Sequence, residues 1–387
     1  MREKISFTIN PNAREPRALK AATKHFSADC ARAARAFHRG LHGYAPTPLV
    51  QMKGLAGILG VTRIWVKDES PRFGLNAFKA LGATYGADYA LCERFGRPVS
   101  ELAKTTLVTA TDGNHGRAVA WAAARLGCRA VVYMPRGTVA ARYENVVALG
   151  ARAIVTECSY DETVVLASEC AARNGWVLVQ DTAGPGYEAV PRWIMKGYLT
   201  MMDEIIEQVS GEMPTHVFVQ CGVGSFAAAV QAYLVEEFGD QRPVFTVVEP
   251  AGAASFFRSM TDSPRGEPLV VEGEIETIMA GLACGKPSTI AWEILRDFAD
   301  AFVACPDWVA ESGMRLLASP PGGDVPIVSG ESGAVTAGLL AAVMERPDHR
   351  ELAGALRLDR GSKILLISTE GDTDPVSYGK IVSTVIR

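Results

Sequence analysis

The sequence predicts an α/β protein: two open parallel-sheet α/β units with helices on both faces. Short β-branched runs alternate with alanine-rich stretches of helical length, the rhythm of strand, turn and helix that builds a parallel sheet. Glycines 127, 150 and 175 fall where helix C-terminal caps are due. At 387 residues, 48% hydrophobic and 21% charged, the chain is long enough for two such units and ordinary in composition.

The elements follow in order. "RIWVK" (63–67) is a strand candidate, with a helix from Asn76 to about Arg94 behind it. "TTLVTAT" (105–111) precedes the helical "GNHGRAVAWAAARLG", and "RAVVYMP" (129–135) precedes "AARYENVVALG". "RAIVTE" (152–157) precedes "YDETVVLASECAARNG", and "WVLVQD" (176–181) closes this series. A long helical stretch, 187–209, opens the second series, with a boundary near 183–190. There "THVFVQ" (215–220) leads into "GVGSFAAAVQAYLVEEFG", then "VFTVVEP" (244–250). Near the end "SGESGAVTAGLLAAVME" is followed by "SKILLISTEG" (362–371).

The net charge of −4 argues against a nucleic-acid or anionic-membrane partner, both of which reward a basic surface. The first 43 residues are locally basic, with nine Lys or Arg against Glu3, Glu15 and Asp29. They lack the uninterrupted apolar core of a signal peptide, so "PRALKAATKHFSADCARAARAFHRGL" reads as one surface helix packed on the body. No apolar run approaches the ~20 residues that span a bilayer. The eight cysteines are scattered, without a CxxC pair or a Cys–His cluster, so no metal site is expected and a reducing cytoplasm is the simpler setting.

Four segments can carry chemistry. In "RFGLNAFKALGA" (72–83), Lys79 stands among apolar residues. Desolvation disfavours its charged form, which predicts a lowered pKa and a better nucleophile; the bland alternative is a lysine snorkelling to solvent. "TATDGNHGRA" (109–118) joins a strand to a helix, so its backbone N–H groups can bind an anion such as a substrate carboxylate. Thr111, Asp112, Gly113, Asn114 and His115 are the candidate contacts there, and simple helix capping is the alternative.

The third segment, "VQCGVGSFAA" (219–228), is another strand-to-helix glycine turn. Gly222, Val223, Gly224 and the Ser225 hydroxyl can hold a phosphate. The same residues, with Ala227, match the G-x-G-x-x-A dinucleotide pattern, and Glu249 can hold a ribose hydroxyl, so a nicotinamide dehydrogenase is a rival. The fourth, "LLISTEGDTDP" (365–375), puts Ser368 and Thr369 at a strand end, where ligands of open sheets gather. Alternatively these residues bond local backbone.

In this order and spacing the four segments resemble the fold-type II (tryptophan-synthase-β-like) pyridoxal 5'-phosphate enzymes, roughly from "YAPTPLVQM" (44–52) to the C-terminus. "AFKALGA" lines up with the family's S-F-K-x-R-G-A, "TDGNHG" with its asparagine loop and "GVGSF" with its phosphate loop. The departures are Ala77 for serine, Leu81 for arginine and the carboxylate Asp112 for Ser or Ala. "ATDGNHGRAVAW", "VQDTAGPGYE", "IMAGLACGKP" and "STEGDTDP" are similar to those of members that eliminate ammonia from 2,3-diaminopropionate.

The resemblance implies a large cofactor-binding domain, 1–87 with 184–387, into which a small α/β domain, 88–183, is inserted. The cofactor is then expected in the cleft between them. It implies that Lys79 carries pyridoxal phosphate as a Schiff base and acts as a base at Cα. Asn114 is expected at the ring 3'-oxygen and residues 222–225 at the phosphate. Thr369, or Ser368 as its close rival, is expected at the ring nitrogen. Asp112 is the candidate base for the D isomer, and Asp181 a second contact to the distal amine. Glu331, Tyr160 and His115 are weaker candidates. A serine or threonine dehydratase is the nearest alternative activity. The partner is a small amino acid, and a homodimer follows from the family alone.

Overall fold

The computed structural model describes residues 4–15, 22–96, 103–111, 113–264 and 266–384. Among the described residues, eleven strands form two sheets. In chain order they are β1 (Ser6–Ile9), β2 (Leu49–Gln51), β3 (Arg63–Asp68), β4 (Thr106–Ala110), β5 (Arg129–Met134), β6 (Arg152–Val155), β7 (Val177–Leu178), β8 (His216–Gln220), β9 (Val244–Pro250), β10 (Ala301–Cys305) and β11 (Lys363–Ser368). The seven-stranded sheet runs β1-β10-β9-β8-β11-β3-β2, and the four-stranded sheet β6-β5-β4-β7.

All pairs are parallel except the two edges of the larger sheet, where β1 lies antiparallel to β10 and β2 antiparallel to β3. The strand pattern misses β1, β2 and β10. The first two are short, partly exposed edges; β1 pairs with β10, nearly 300 positions away, whereas β2 pairs with the next strand, β3. Strand "RIWVK", read as the head of the first series, instead pairs with β11, near the other end of the chain.

The first helices are α1 (Ala28–Arg39), α2 (Lys53–Leu59), α3 (Lys79–Phe95), α4 (Asn114–Leu126) and α5 (Ala140–Val147). They are followed by α6 (Tyr160–Asn174), α7 (Ala189–Gln208), α8 (Ser225–Phe238), α9 (Ser255–Asp262) and α10 (Thr289–Phe298). The last four are α11 (Asp307–Ala318), α12 (Glu331–Glu345), α13 (Arg350–Ala355) and α14 (Pro375–Ser383). The expected N-terminal helix is shorter than its apolar pattern suggests. Residues 22–27 form turns, residues 16–21 lie outside the described set, and α1 begins at Ala28, whose N–H donates to Glu237 Oε1 at 2.8 Å. Gly127 and Gly175 cap α4 and α6 in the left-handed conformation, whereas Gly150 (φ 84°) lies beyond the cap of α5.

Alternate residues of each central strand feed opposite faces, as the two-residue period demands. Leu365 and Ile367 join Val217, Val219 and Val247 in one core, while Ile364 and Leu366 join Phe218 and Val248 in the other. Helices α3 and α7 cross backbone to backbone. A Cβ on Gly82 would come within 2.4 Å of Tyr198 Cε1, and one on Gly197 within 2.4 Å of the Leu81 carbonyl. The small-residue patch after Lys79 therefore serves this crossing, and it fixes the helix on which Lys79 is the first residue.

Behind the same segment lies a fully buried ionic network. Lys67 Nζ donates to Glu204 Oε2 at 2.7 Å, to the Thr47 carbonyl at 2.8 Å and to Gln208 Oε1 at 2.9 Å. Arg72 reaches Glu69 (2.7 and 2.8 Å) and Glu204 (2.8 Å to each oxygen). Two cations meet two carboxylates, so the cluster is neutral and its donors are used. Burial alone would raise the Glu204 pKa, but Arg72 and Lys67 outweigh it and hold the carboxyl at about 2. Burial pulls Lys67 below the usual lysine range in spite of its carboxylate neighbours.

Candidate active site

The segments that follow β4, β5, β7, β8 and β11 line a cavity of about 740 Å³, large enough for a cofactor with a small substrate. The Lys79 segment is laced to the end of β11. Phe78 N donates to the Thr369 carbonyl and Gly371 N to the Asn76 carbonyl, each at 3.0 Å, and Ala77 bridges Glu370. Asn76 sits at φ 56°, with its side-chain amide donating to Asp372 at 2.9 Å. A Cβ at Gly371 would come within 2.0 Å of Asn76 Oδ1, so this crossing requires glycine.

Lys79 reaches the cavity with its side chain 20% exposed, and its Nζ donates to Asp181 Oδ2 at 2.6 Å. This corrects the expectation of a lowered lysine pKa. Burial does push the ammonium down, but the Asp181 charge 2.6 Å away more than offsets it, and Lys79 lies above the ordinary lysine range. For Asp181 burial pushes up, while Lys79 and then His115 pull down further, to about 2. Apolar neighbours in sequence did not disclose the counter-charge, which arrives from 102 positions away.

Asn114 and His115 open α4. Gly113 N donates to Thr111 Oγ1 at 3.0 Å, and a Cβ on Gly116 would strike Thr111 Cγ2 and Val132 Cγ1 at 2.4 and 2.5 Å. The second glycine of "GNHG" thus lets the helix lie against its sheet. His115 Nε2 bonds the Val179 carbonyl at 2.8 Å, with Nδ1 3.9 Å from Asp181. Thr111, Asn114 and His115 line the cavity. Asp112, the candidate base and substrate contact, lies outside the described residues.

Across from Lys79, the Gly222–Ser225 turn enters α8. Gly224 sits at φ 93°, and a Cβ there would come within 2.3 Å of Phe256 Cζ. Only glycine fits, and the turn presents N–H groups at a helix N-terminus to the cavity. The Ser225 hydroxyl is turned elsewhere, donating to the Asp181 carbonyl at 2.5 Å. What Ser225 offers an anion is its backbone N–H.

The two hydroxyls after β11 separate. Ser368 Oγ donates to Ser329 Oγ at 2.8 Å and does not line the cavity, whereas Thr369 does. Gln220 Nε2 donates to Thr369 Oγ1 at 2.7 Å, which leaves the threonine proton for another acceptor. Of the weaker candidates, Tyr160 accepts from Gln180 Nε2 at 3.3 Å, and Glu331 accepts from Ser377 Oγ at 3.2 Å; both line the cavity.

Sequence reasoning missed Gln220 and Glu370, and also residues 270–277, which wall the cavity ahead of the quoted "IMAGLACGKP". Glu370 follows the quoted Ser-Thr pair directly, so its place at a strand end was the one available signal. Glu249 is corrected: it accepts from Phe256 N (2.9 Å) and Phe257 N (2.7 Å) at the start of α9 and does not line the cavity. Burial pushes its pKa up to about 8 despite those bonds. A ribose-binding carboxylate for a dehydrogenase is therefore absent from that position.

The fold and the site together define an α/β enzyme in which a helix-terminal anion cradle faces a paired lysine. The model of the pyridoxal-phosphate dependent enzyme family matches residues 41–369. The chain is 47% identical over 369 residues to the diaminopropionate ammonia-lyase of Escherichia coli K12, covering 92% of each. It is 44% identical over 400 residues to that of Salmonella typhimurium LT2, covering 99% of this chain and 98% of the other. The crystal structure of the Escherichia coli lyase in complex with an aminoacrylate–PLP azomethine reaction intermediate superposes with a TM-score of 0.89 at 46% identity, over 98% of this chain and 97% of that one. The chain belongs to the pyridoxal-phosphate dependent enzyme family.

The residues fit that cofactor. The Gly224 position admits no side chain, the turn supplies phosphate donors, and Thr369 keeps a free hydroxyl proton beside the same cavity that Lys79 enters. Among the described residues no helix is long and apolar enough to cross a membrane.

Proposed function

We propose that this chain eliminates ammonia from 2,3-diaminopropionate, which with one water yields pyruvate and two ammonia. The observation that carries the chemistry is the Lys79–Asp181 pair opposite the Gly222–Ser225 cradle. The substrate comes from the likeness to the Escherichia coli and Salmonella lyases. Pyridoxal phosphate, when bound, accepts the electron pair left at Cα as its proton departs.

The chain's residues do the rest. Backbone N–H groups of Gly222, Val223, Gly224 and Ser225 hold the phosphate, and Asn114 meets the ring 3'-oxygen. The Thr369 hydroxyl donates to the ring nitrogen as a neutral group, and Ser368 is left to its bond with Ser329. Lys79 would anchor the cofactor, and its free amine takes the Cα proton.

Asp181 links substrate choice to this step. While it faces Lys79 it keeps the amine charged and unfit as a base. A distal ammonium on the substrate satisfies the same carboxylate, and Lys79, released from its strongest partner, loses its proton more readily. Serine brings no such cation. The four-stranded unit, 88–183 in the inserted-domain reading, contributes Asn114, Asp112 and Asp181; the larger one contributes Lys79, the cradle and Thr369. A homodimer in a reducing cytoplasm completes the proposal, in keeping with eight free thiols.

Pyruvate release measured with L- and D-diaminopropionate beside L- and D-serine tests this reading. Faster turnover of the diamino acids is expected, and release from serine alone would overturn the substrate assignment. With Asp112 as the base on the face opposite Lys79, Asp112→Asn is expected to lower D-isomer turnover by on the order of 10²-fold or more while largely sparing the L isomer. Equal losses on both isomers would remove the two-base scheme.

A further inference from the structure

Resting on that cofactor reading, we propose that Glu370 is a positioning residue: it fixes the Asn114 amide so that its NH₂ group faces the cofactor ring, and it ties the four-stranded unit to the end of β11. Glu370 is 4% exposed and lines the cavity. Its main chain is immobilised beside the Lys79 segment by the bridge to Ala77 and by Gly330 N, which donates to its carbonyl at 3.0 Å. Its carboxylate faces two donors from different parts of the fold. Oε1 accepts from Ser332 N at 3.2 Å, at the N-terminus of α12, and Oε2 accepts from Asn114 Nδ2 at the N-terminus of α4.

An asparagine amide is nearly symmetric in shape but not in chemistry, and nothing steric tells its oxygen from its nitrogen. In its ionised form the Glu370 carboxylate accepts only, and it then selects the nitrogen. Flipping Asn114 would set Oδ1 against Oε2, two acceptors in contact. The amide nitrogen carries two protons, and one given to Glu370 leaves the other for an oxygen of the ring. The bond joins α4, which packs on the four-stranded sheet, to the strand end that holds Lys79 in place.

If Glu370 served only to cap α12, its removal would lower thermal stability and leave the cofactor's environment unchanged. The test compares wild type, Glu370→Gln, Asn114→Ala and the double variant, each as full chain with pyridoxal phosphate. Three quantities are read: the cofactor dissociation constant, the pH titration of its visible absorption band, and the unfolding midpoint. Glu370→Gln is expected to weaken cofactor binding by roughly tenfold, about 1.4 kcal/mol, and to displace the pH titration. Asn114→Ala is expected to do the same, with the double variant no worse than the worse single one.

Additive losses, or a change in unfolding midpoint with an unaltered band and affinity, would overturn the proposal. A wild type that shows no visible band with added cofactor overturns both this and the cofactor reading. Normal wild-type binding and turnover, with Glu370→Gln indistinguishable from it, overturns this one alone. A crystal structure of the wild-type holoprotein reads the contact without any variant. The Asn114 amide within hydrogen-bond distance of both Glu370 and the cofactor ring supports the proposal, and Asn114 turned away from Glu370 overturns it.

Discussion

Lys79→Ala is expected to cut pyruvate release by on the order of 10⁴-fold, the upper end of what one positioned acid–base group contributes. The variant loses the amine that anchors the cofactor and the base that takes the Cα proton. The visible absorption of the purified protein with pyridoxal phosphate should vanish or shift with it, whereas the fold should persist. Lys79 is partly exposed to the cavity, and after its removal Asp181 still has His115 Nδ1 3.9 Å away. A Lys79→Ala protein retaining both band and turnover would end the assignment of Lys79 as anchor and base. The pH behaviour of the free pair has a definite sign. The Asp181 value is depressed from 3.8 to about 2, so the stability the pair contributes is full above about pH 4 and is lost as pH falls through about 2.

The second large effect concerns stability and lies away from the cavity. Glu204→Gln is expected to destabilise the protein by about 3–5 kcal/mol, the usual result of removing one partner from a buried ion pair. Lys67 and Arg72 would then share one remaining carboxylate, Glu69, with no solvent to take up the excess charge. Against a typical total of about 5–15 kcal/mol this is a large fraction, visible as a lower urea midpoint. The acid limb carries a further signature. Glu204 has its folded value lowered from 4.5 to about 2, so its contribution is present above about pH 4.5 and fades as pH falls toward 2. The variant should lack that part of the acid sensitivity. An unchanged midpoint and acid limb would mean that the network carries little net stability.

The strands that bracket the site were legible because each central strand is a continuous buried run followed by a glycine turn. "THVFVQCGVG" and "SKILLISTEG" are of this kind, and both end at the cavity. The edges β1 and β2 were not legible, since four and three partly exposed residues carry no period strong enough to stand out. The cradle glycines could be named from the sequence, yet the necessity of Gly224 comes from Phe256, which no local pattern connects to it. Ser225 shows the opposite case. Its hydroxyl looked available beside two glycines, but the fold brings the Asp181 carbonyl to it.

By itself the sequence determined the α/β class and the residues that can bond, bind or transfer protons: a lysine in an apolar run, two glycine turns and a strand end with two hydroxyls. These are local properties, fixed by side-chain chemistry and by the backbone freedom of a few adjacent residues. Tertiary structure alone decided their electrostatic states and partners. Lys79 is held charged by Asp181, Ser368 is turned to Ser329 while Thr369 meets the cavity, and Asn114 is held by Glu370 across 256 positions. The physical reason is that charge and hydrogen bonding act over a few ångströms of space, and a parallel sheet brings together strand ends that lie far apart along the chain.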